Sequence, residues 1–212
     1  MDDVPSRIEH TVLGPTTTWA DVTETLDTAL QYGMRACLPP CYVEQAREYA
    51  PTVDLVTVVG FPHGQHTTET KCTEAEQAWK DDVDEIDVVC NLGSLLADDV
   101  EDVQRELEEV VASVPIPVKV IVESHLLGDD QLHSVCEAVS GAEAAYIKTS
   151  TGFSDGGATV EDVALMSEYL PVKASGGIGS WSFAEELFEA GAERIGASSG
   201  DVIVEEYLDQ QG

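Results

Sequence analysis

Residues 144–153 read Ala-Ala-Tyr-Ile-Lys-Thr-Ser-Thr-Gly-Phe, so that Lys148 ends a short apolar run and is followed at once by small hydroxyl residues and a glycine. Burying an ammonium among apolar groups disfavours its charged form and lowers its pKa. An amine in that state is the usual nucleophile for Schiff-base chemistry on carbonyl substrates. The bland alternative is a strand-end lysine whose stem packs while its head reaches solvent. Lys173, in Val-Lys-Ala-Ser-Gly-Gly, and Asp87, in Glu-Ile-Asp-Val-Val, divide into roles around Lys148. A second ammonium nearby depresses the lysine pKa further, and a carboxylate moves protons, directly or through a water, as a carbinolamine forms and dehydrates.

These lysines stand out against the composition. Forty-one acidic residues against ten basic ones leave a formal net charge of −31, which argues against nucleic acid or an anionic membrane as partner. Such an excess repels itself at low salt, whereas molar salt shortens the Debye length to about 3 Å. A halophilic surface is therefore expected, with stability that rises with salt. Apolar periodicity through the whole chain argues against an acidic disordered protein. Only five lysines exist, and Lys119, Lys148 and Lys173 lie inside apolar, β-branched runs, where lysine is least expected without a partner or a task.

Chain length, 212 residues, suits one well-buried core, and a single domain over 1–212 is expected. No stretch has the length and apolarity of a membrane span, and no signal peptide is expected. Five cysteines without scaffold-like spacing suggest a reducing cytoplasm. Cys37 and Cys41 have no matching pair for zinc, and neither metal nor cofactor is called for.

The elements that must carry the three residues follow from periodicity. Strands are expected at 8–12, 35–38, 55–59, 85–90, 118–123, 144–148, 172–174 and 194–196, with helices among them at 20–32, 67–80, 100–113, 131–139, 160–169 and 183–190. Val100, Val103, Leu107, Val110 and Val111 fall on one helix face. Thr18 with Asp21, Thr159 with Asp162 and Ser182 with Glu185 fit capping boxes, and Gly33 and Gly191 fall where helices should stop. Eight strand–helix units predict a (β/α)8 TIM barrel. The runner-up, a doubly wound open sheet, lacks a Gly-x-Gly-x-x-Gly after its first strand.

Strand parity then sorts the charges. Alternation puts Asp87 opposite Ile86 and Val88, Lys119 and Glu123 opposite Val118, Val120 and Val122, and Lys148 and Lys173 opposite their apolar neighbours. In a barrel this predicts an internal paired network of Asp87, Lys119, Glu123, Lys148 and Lys173, since unpaired buried charges are severely destabilising. An internal salt-bridge core without a reaction is the alternative. Glycine-rich turns follow the late strands: Thr151-Gly152, Ser175-Gly176-Gly177, and Gly196-Ala197-Ser198-Ser199-Gly200. Such loops, with a short helix N-terminus, bind phosphate through backbone N–H groups, and so acidic a chain needs a local positive nest for an anionic substrate.

Other residues read more plainly. His63 and His66 are loop residues with no third metal ligand at matching spacing, and His10 is expected near the barrel interior. Cys37 ends a strand as a small buried thiol. The acidic run 98–109 reads as a solvated helix face.

Nearly the whole chain resembles deoxyribose-phosphate aldolase. The likeness is carried by Ile8-Glu9-His10-Thr11, Val59-Gly60-Phe61-Pro62-His63-Gly64, Asp84-Glu85-Ile86-Asp87-Val88-Val89, Val118-Lys119-Val120-Ile121-Val122-Glu123, Ile147-Lys148-Thr149-Ser150-Thr151-Gly152-Phe153, Val172-Lys173-Ala174-Ser175-Gly176-Gly177-Ile178 and Arg194-Ile195-Gly196-Ala197-Ser198-Ser199-Gly200. The resemblance implies a metal-independent class I aldolase of the cytoplasm in deoxyribonucleotide catabolism, and a homo-oligomer. Lys148 would form the Schiff base with acetaldehyde, whose enamine adds to glyceraldehyde 3-phosphate; the reverse reaction cleaves 2-deoxyribose 5-phosphate. Lys173 would tune Lys148 or donate protons, and Asp87 would relay them. Gly152, Gly176, Gly177, Ser198 and Ser199 would hold the phosphate, with Thr11, Lys119, Thr151 and Gly196 assigned to substrate or phosphate beside them. Departures are Glu9 for the family's aspartate, Gly14 for a lysine, Pro39 in its Cys-Val-Asn-Pro segment, and Leu95-Leu96 in place of a lysine after strand four. Two other readings stay open: a Schiff-base barrel enzyme for a different sugar phosphate, and a catalytically silent barrel that binds a phosphorylated ligand.

Overall fold

Each strand pairs in parallel with the next, and the eighth closes on the first. The structure is a computed structural model that describes residues 3–97 and 99–211. The strands are β1 (Ile8–Thr11), β2 (Arg35–Cys37), β3 (Leu55–Val59), β4 (Glu85–Val89), β5 (Val118–Ile121), β6 (Tyr146–Lys148), β7 (Val172–Ser175) and β8 (Ala192–Ala197). Around them run α1 (Trp19–Tyr32), α2 (Val43–Tyr49), α3 (Thr68–Lys80), α4 (Leu92–Leu96), α5 (Val100–Ala112), α6 (Asp129–Gly141), α7 (Val160–Met166), α8 (Trp181–Glu189) and α9 (Gly200–Gln211). This is the expected (β/α)8 barrel. Pairing of β1 with β8 rules out the open doubly wound sheet, which would leave two edges.

Local chemistry sets the helix ends. Thr18 and Asp21 form a reciprocal capping box at the start of α1, which stops at Gly33 with a left-handed φ of 74°. Thr159 accepts from the Asp162 N–H to start α7. The Ser182–Glu185 box does not form: Ser180 caps α8 instead, accepting from the Phe183 N–H, so the helix starts two residues before the expected 183. The short α2 and α4 offered too little length for periodicity to show, and α9 was hidden by the glycines and serines of the turn that precedes it.

The apolar core lies between the barrel and its helices. Ile86, Val88, Val120 and Ile147 point outward from their strands to meet Leu26, Leu107 and Leu187 of the helical layer, all buried. Each such side chain contributes about 1.5–3 kcal/mol by burial. In α5 the buried residues include Val103, Leu107 and Val110, as the spacing predicts. The expected solvated acidic run is corrected at Glu106, which is also buried, while Asp98 at its start lies outside the described residues.

Two inward placements are corrected as well. Glu123 does not continue β5: the strand ends at Ile121, and Glu123 turns through φ 48° and ψ 57°, leaving the internal network. His10 points outward, because alternation along β1 puts Glu9 inside and Ile8 and His10 against α9. A Cβ added at Gly200, the first residue of α9, would meet His10 Nδ1 at 2.9 Å and Ile8 at 3.1 Å. Burial there pushes the His10 imidazole down against the pull of Asp201 and Glu24.

Candidate active site

Inside the barrel the two halves differ in chemistry. Cys37, Val56 and Val58 make a small apolar cluster with Leu13 and Phe61. Beside them, β1, β4, β5, β6 and β7 bring Glu9, Glu85, Asp87, Lys119, Lys148 and Lys173 together, all buried. Asp87 is the hub. Its Oδ2 accepts from Lys148 Nζ at 2.8 Å and from Lys173 Nζ at 2.6 Å, while Oδ1 accepts from Lys119 Nζ at 3.1 Å. Lys119 also lies 2.6 Å from Glu85 Oε2 and 3.5 Å from Glu9 Oε1, and Lys173 donates to Glu9 Oε2. Arg35 reaches Glu85 at 3.2 Å from the strand-start side.

Electrostatics follow from these contacts. Burial by itself would raise the Asp87 pKa, but Lys119, Lys148 and Lys173 together outweigh it and hold the carboxyl well below the usual range. Burial would likewise strip Lys173 of its proton, yet Asp87 and Glu9 raise its pKa above the ordinary lysine value. Lys119 is raised in the same way, by Asp87, Glu9 and Glu85 against burial and the Lys173 charge. Lys173 thus stands as a permanent cation next to Lys148, its Cα partner across β6 and β7. Burial pushes the Cys37 thiol up to about 11, so it stays protonated and unreactive at neutral pH.

Position along the strands separates the three lysines. Lys148 is the last residue of β6 and lines a cavity of about 420 Å³ at the C-terminal mouth of the barrel. Lys119 and Lys173, each second in its strand, are fully buried and lie outside that lining, as does Asp87. Lys119, expected at substrate or phosphate, instead has its ammonium among three carboxylates, those of Glu9, Glu85 and Asp87.

The other assigned residues do reach the cavity. Thr151 and Gly152 after β6, Gly176 and Gly177 after β7, Gly196, Ser198 and Ser199 at β8 and beyond, and Thr11 of β1 all line it, on four successive strands of the closed barrel. Gly176 and Gly177 have successive left-handed φ values of 92° and 75°, a conformation that glycine adopts without steric cost. Ser198 and Ser199 lead directly into α9, whose N-terminus adds partial positive charge. Gly196 has a further use, since a Cβ there would meet the Lys173 stem at 2.9 Å. Lys148 is the only cationic side chain among the described residues that line the cavity.

Several members escaped the sequence reading. Glu9 entered it only within the first family-like segment and as a departure from its pattern, although the parity test applied to β1 would have placed it inside. Phe153 forms a cavity wall and meets Phe61 edge-on at 5.3 Å between ring centres. Of the other departures, Gly14 lines the cavity and Pro39 does not. His63 and His66 are exposed loop residues, as expected. Glu9, Cys37 and Asp87 each bring a ligand-type atom within 4.8 Å of the others, but the Lys173 ammonium already bridges the two carboxylates. A larger groove of about 670 Å³ beside α3 is lined by acids such as Glu44, Glu69, Glu74 and Asp81 and by no lysine, and offers no nucleophilic amine.

Fold and cavity together define a (β/α)8-barrel protein that presents one lysine amine, backed by a carboxylate and a fixed cation, to an anion-receptive mouth. No family model matches the chain. It is 62% identical over 207 residues to the deoxyribose-phosphate aldolase of Haloarcula marismortui, covering 98% of this chain and 89% of that one. A solved structure described as QR15, an aldolase, superposes with a TM-score of 0.95 at 36% identity, covering 100% of this chain and 98% of the other. The deoxyribose phosphate aldolase of Aeropyrum pernix, described as having a unique tetrameric structure, gives 0.89 at 34% identity, covering 98% and 92%. The chain belongs to the deoxyribose-phosphate aldolase family.

Proposed function

We propose that the protein is a class I aldolase that reversibly cleaves 2-deoxy-D-ribose 5-phosphate to D-glyceraldehyde 3-phosphate and acetaldehyde. The observation that carries this reading is the single Asp87 oxygen shared by the Lys148 and Lys173 ammonium groups, with only Lys148 open to the cavity. Lys148 Nζ, unprotonated, attacks the C1 aldehyde of the open-chain sugar. Asp87 takes up and returns protons at that nitrogen and at the carbinolamine oxygen, directly or through a water, until water leaves and the iminium forms. The C2–C3 bond then breaks. Its electron pair flows into the iminium to give an enamine on Lys148, and the C3 hydroxyl loses its proton as it becomes the aldehyde of glyceraldehyde 3-phosphate. Protonation at C2 and hydrolysis release acetaldehyde and restore the amine. Lys173 remains cationic throughout, held so by Asp87 and Glu9.

The phosphate rests on backbone N–H groups of Gly176 and Gly177, on Ser198 and Ser199, and on the α9 N-terminus, with Gly152 after the neighbouring β6 lining the same cavity. Thr11, Thr151 and Gly196 complete the substrate walls. Homo-oligomeric assembly belongs to the same reading, supported by the tetrameric Aeropyrum pernix relative. A cytoplasmic setting is supported by five free cysteines. Among the described residues, no helix is long and apolar enough to cross a membrane.

Borohydride reduction in the presence of acetaldehyde, followed by peptide mass mapping, tests the proposal. An ethyl adduct on Lys148 is expected, and an adduct on any other lysine, or none, overturns the assignment. Product analysis with other sugar phosphates separates this substrate from a different one.

A further inference from the structure

Glu123 lies outside the charge network and outside the cavity lining, yet it is only 4% exposed. Its carboxylate is taken up by the loop that follows β6. Oε1 accepts from the Thr151 N–H at 2.8 Å and from the Thr151 hydroxyl; Oε2 accepts from the Ser154 hydroxyl at 2.7 Å. Thr151 Oγ1 in turn accepts from the Phe153 N–H at 3.1 Å. One carboxylate therefore holds, directly or at one remove, the segment that carries Thr151, Gly152 and Phe153 into the cavity wall. Its neighbour Ser124 ties down both ends of the same connection, donating from its N–H to Thr149 O at 2.9 Å and from its hydroxyl to Asp162 Oδ2 at 2.7 Å. The left-handed backbone at Glu123, unusual for a residue with a Cβ, is what turns the side chain out of the strand direction and toward this loop.

We propose that Glu123 is a positioning residue that sets the shape of the 151–154 wall, and through it how tightly the phosphorylated half of the substrate is held. It does so without contact to the reacting atoms. The inference rests on the aldolase reading above for the identity of that substrate. All three loop donors need an acceptor, which a carboxylate supplies on both oxygens. A glutamine supplies one acceptor oxygen, and an alanine none.

The test compares Glu123→Ala, Glu123→Gln and Ser154→Ala with the parent chain in molar salt. KM and kcat are measured for 2-deoxyribose 5-phosphate cleavage, together with the rate of borohydride-trapped acetaldehyde adduct on Lys148. The expected result is a KM raised about tenfold in Glu123→Ala and less in the other two, with trapping within about twofold of the parent. A merely structural role would lower the folded fraction, so that kcat and trapping fall together at constant KM. That pattern, or an unchanged KM in the variants that fold, overturns the proposal. Should Glu123→Ala not fold, the other two variants decide, because each removes only part of the clamp. Absence of an adduct in the parent would instead sink the Lys148 assignment, and the KM comparison would still judge Glu123.

Discussion

Two buried lysine centres sit on opposite sides of the barrel wall and do different things with the same ingredients. Outside it, Lys71 of α3 donates to Glu106 of α5 at 2.7 Å and to Val89 O at 2.8 Å, and Glu106 also accepts from the Asn91 N–H at 3.1 Å. One cation meets one anion there, and the Lys71 side chain is fully buried. Inside, two ammonium groups compete for one Asp87 oxygen, and one of them faces the cavity. Burial alone thus does not mark a nucleophile, since Lys71 is as deeply buried as Lys173. What distinguishes Lys148 is a shared acceptor, a fixed cation beside it and access to substrate.

Removing the nucleophile should separate the two centres most sharply. Lys148→Ala is expected to lower turnover about 10⁴-fold or more while the chain stays folded, checked by steady-state kinetics and circular dichroism. Substantial residual turnover would reassign the nucleophile. Next comes the hub: Asp87→Asn should cost about 10²–10⁴ in kcat, because the amide neither takes up a proton nor neutralises three ammonium groups. The matching change at the other centre, Lys71→Ala, should leave kcat per folded molecule unaltered and destabilise by about 3–5 kcal/mol in denaturant titrations, by stranding Glu106. Loss of kcat there would erase the distinction between the centres.

A pH scan gives the smallest effect within the neutral range. Asp87 and Glu85 both titrate below their unfolded values, Glu85 because Lys119 and Arg35 outweigh its burial. Their contribution is complete above about pH 4–5 and is lost as the pH falls through the lowered values. Lys119 and Lys173 are raised, so theirs is complete below about pH 10 and is lost only as the pH climbs through the raised values. The thermal midpoint at constant molar salt should therefore be flat only between roughly pH 7 and pH 8.5, falling below as the lowered His10 and then the carboxylates come into play, and above as the raised Cys37 thiol and then the lysines do. A steep decline between roughly pH 7 and pH 8.5 would show that other groups govern stability.

Much of the site was legible because β-structure repeats every second residue. Alternation at Asp87, Lys119, Lys148 and Lys173 put all four inside, and the three late glycine-rich turns marked the cavity mouth. The same rule, left unapplied to β1, would have brought Glu9 inward and turned His10 out. Lys71 could have been found by helical spacing, since it shares the buried face of α3 with Ala75 and Ala78. Glu123 could not, because the left-handed turn that ends β5 breaks the alternation from which its direction was inferred.

The order of residues along the chain determined the eight-unit repeat, the inward charges and the acidic exterior, all of which depend on local period and composition. Tertiary structure decided which carboxylate meets which ammonium. That choice follows from closure of the barrel, which brings Glu9 of the first strand onto Lys173 of the seventh, and from how far along its own strand each side chain lies. Neither is written in any single segment, and together they leave one lysine of the cluster facing the cavity.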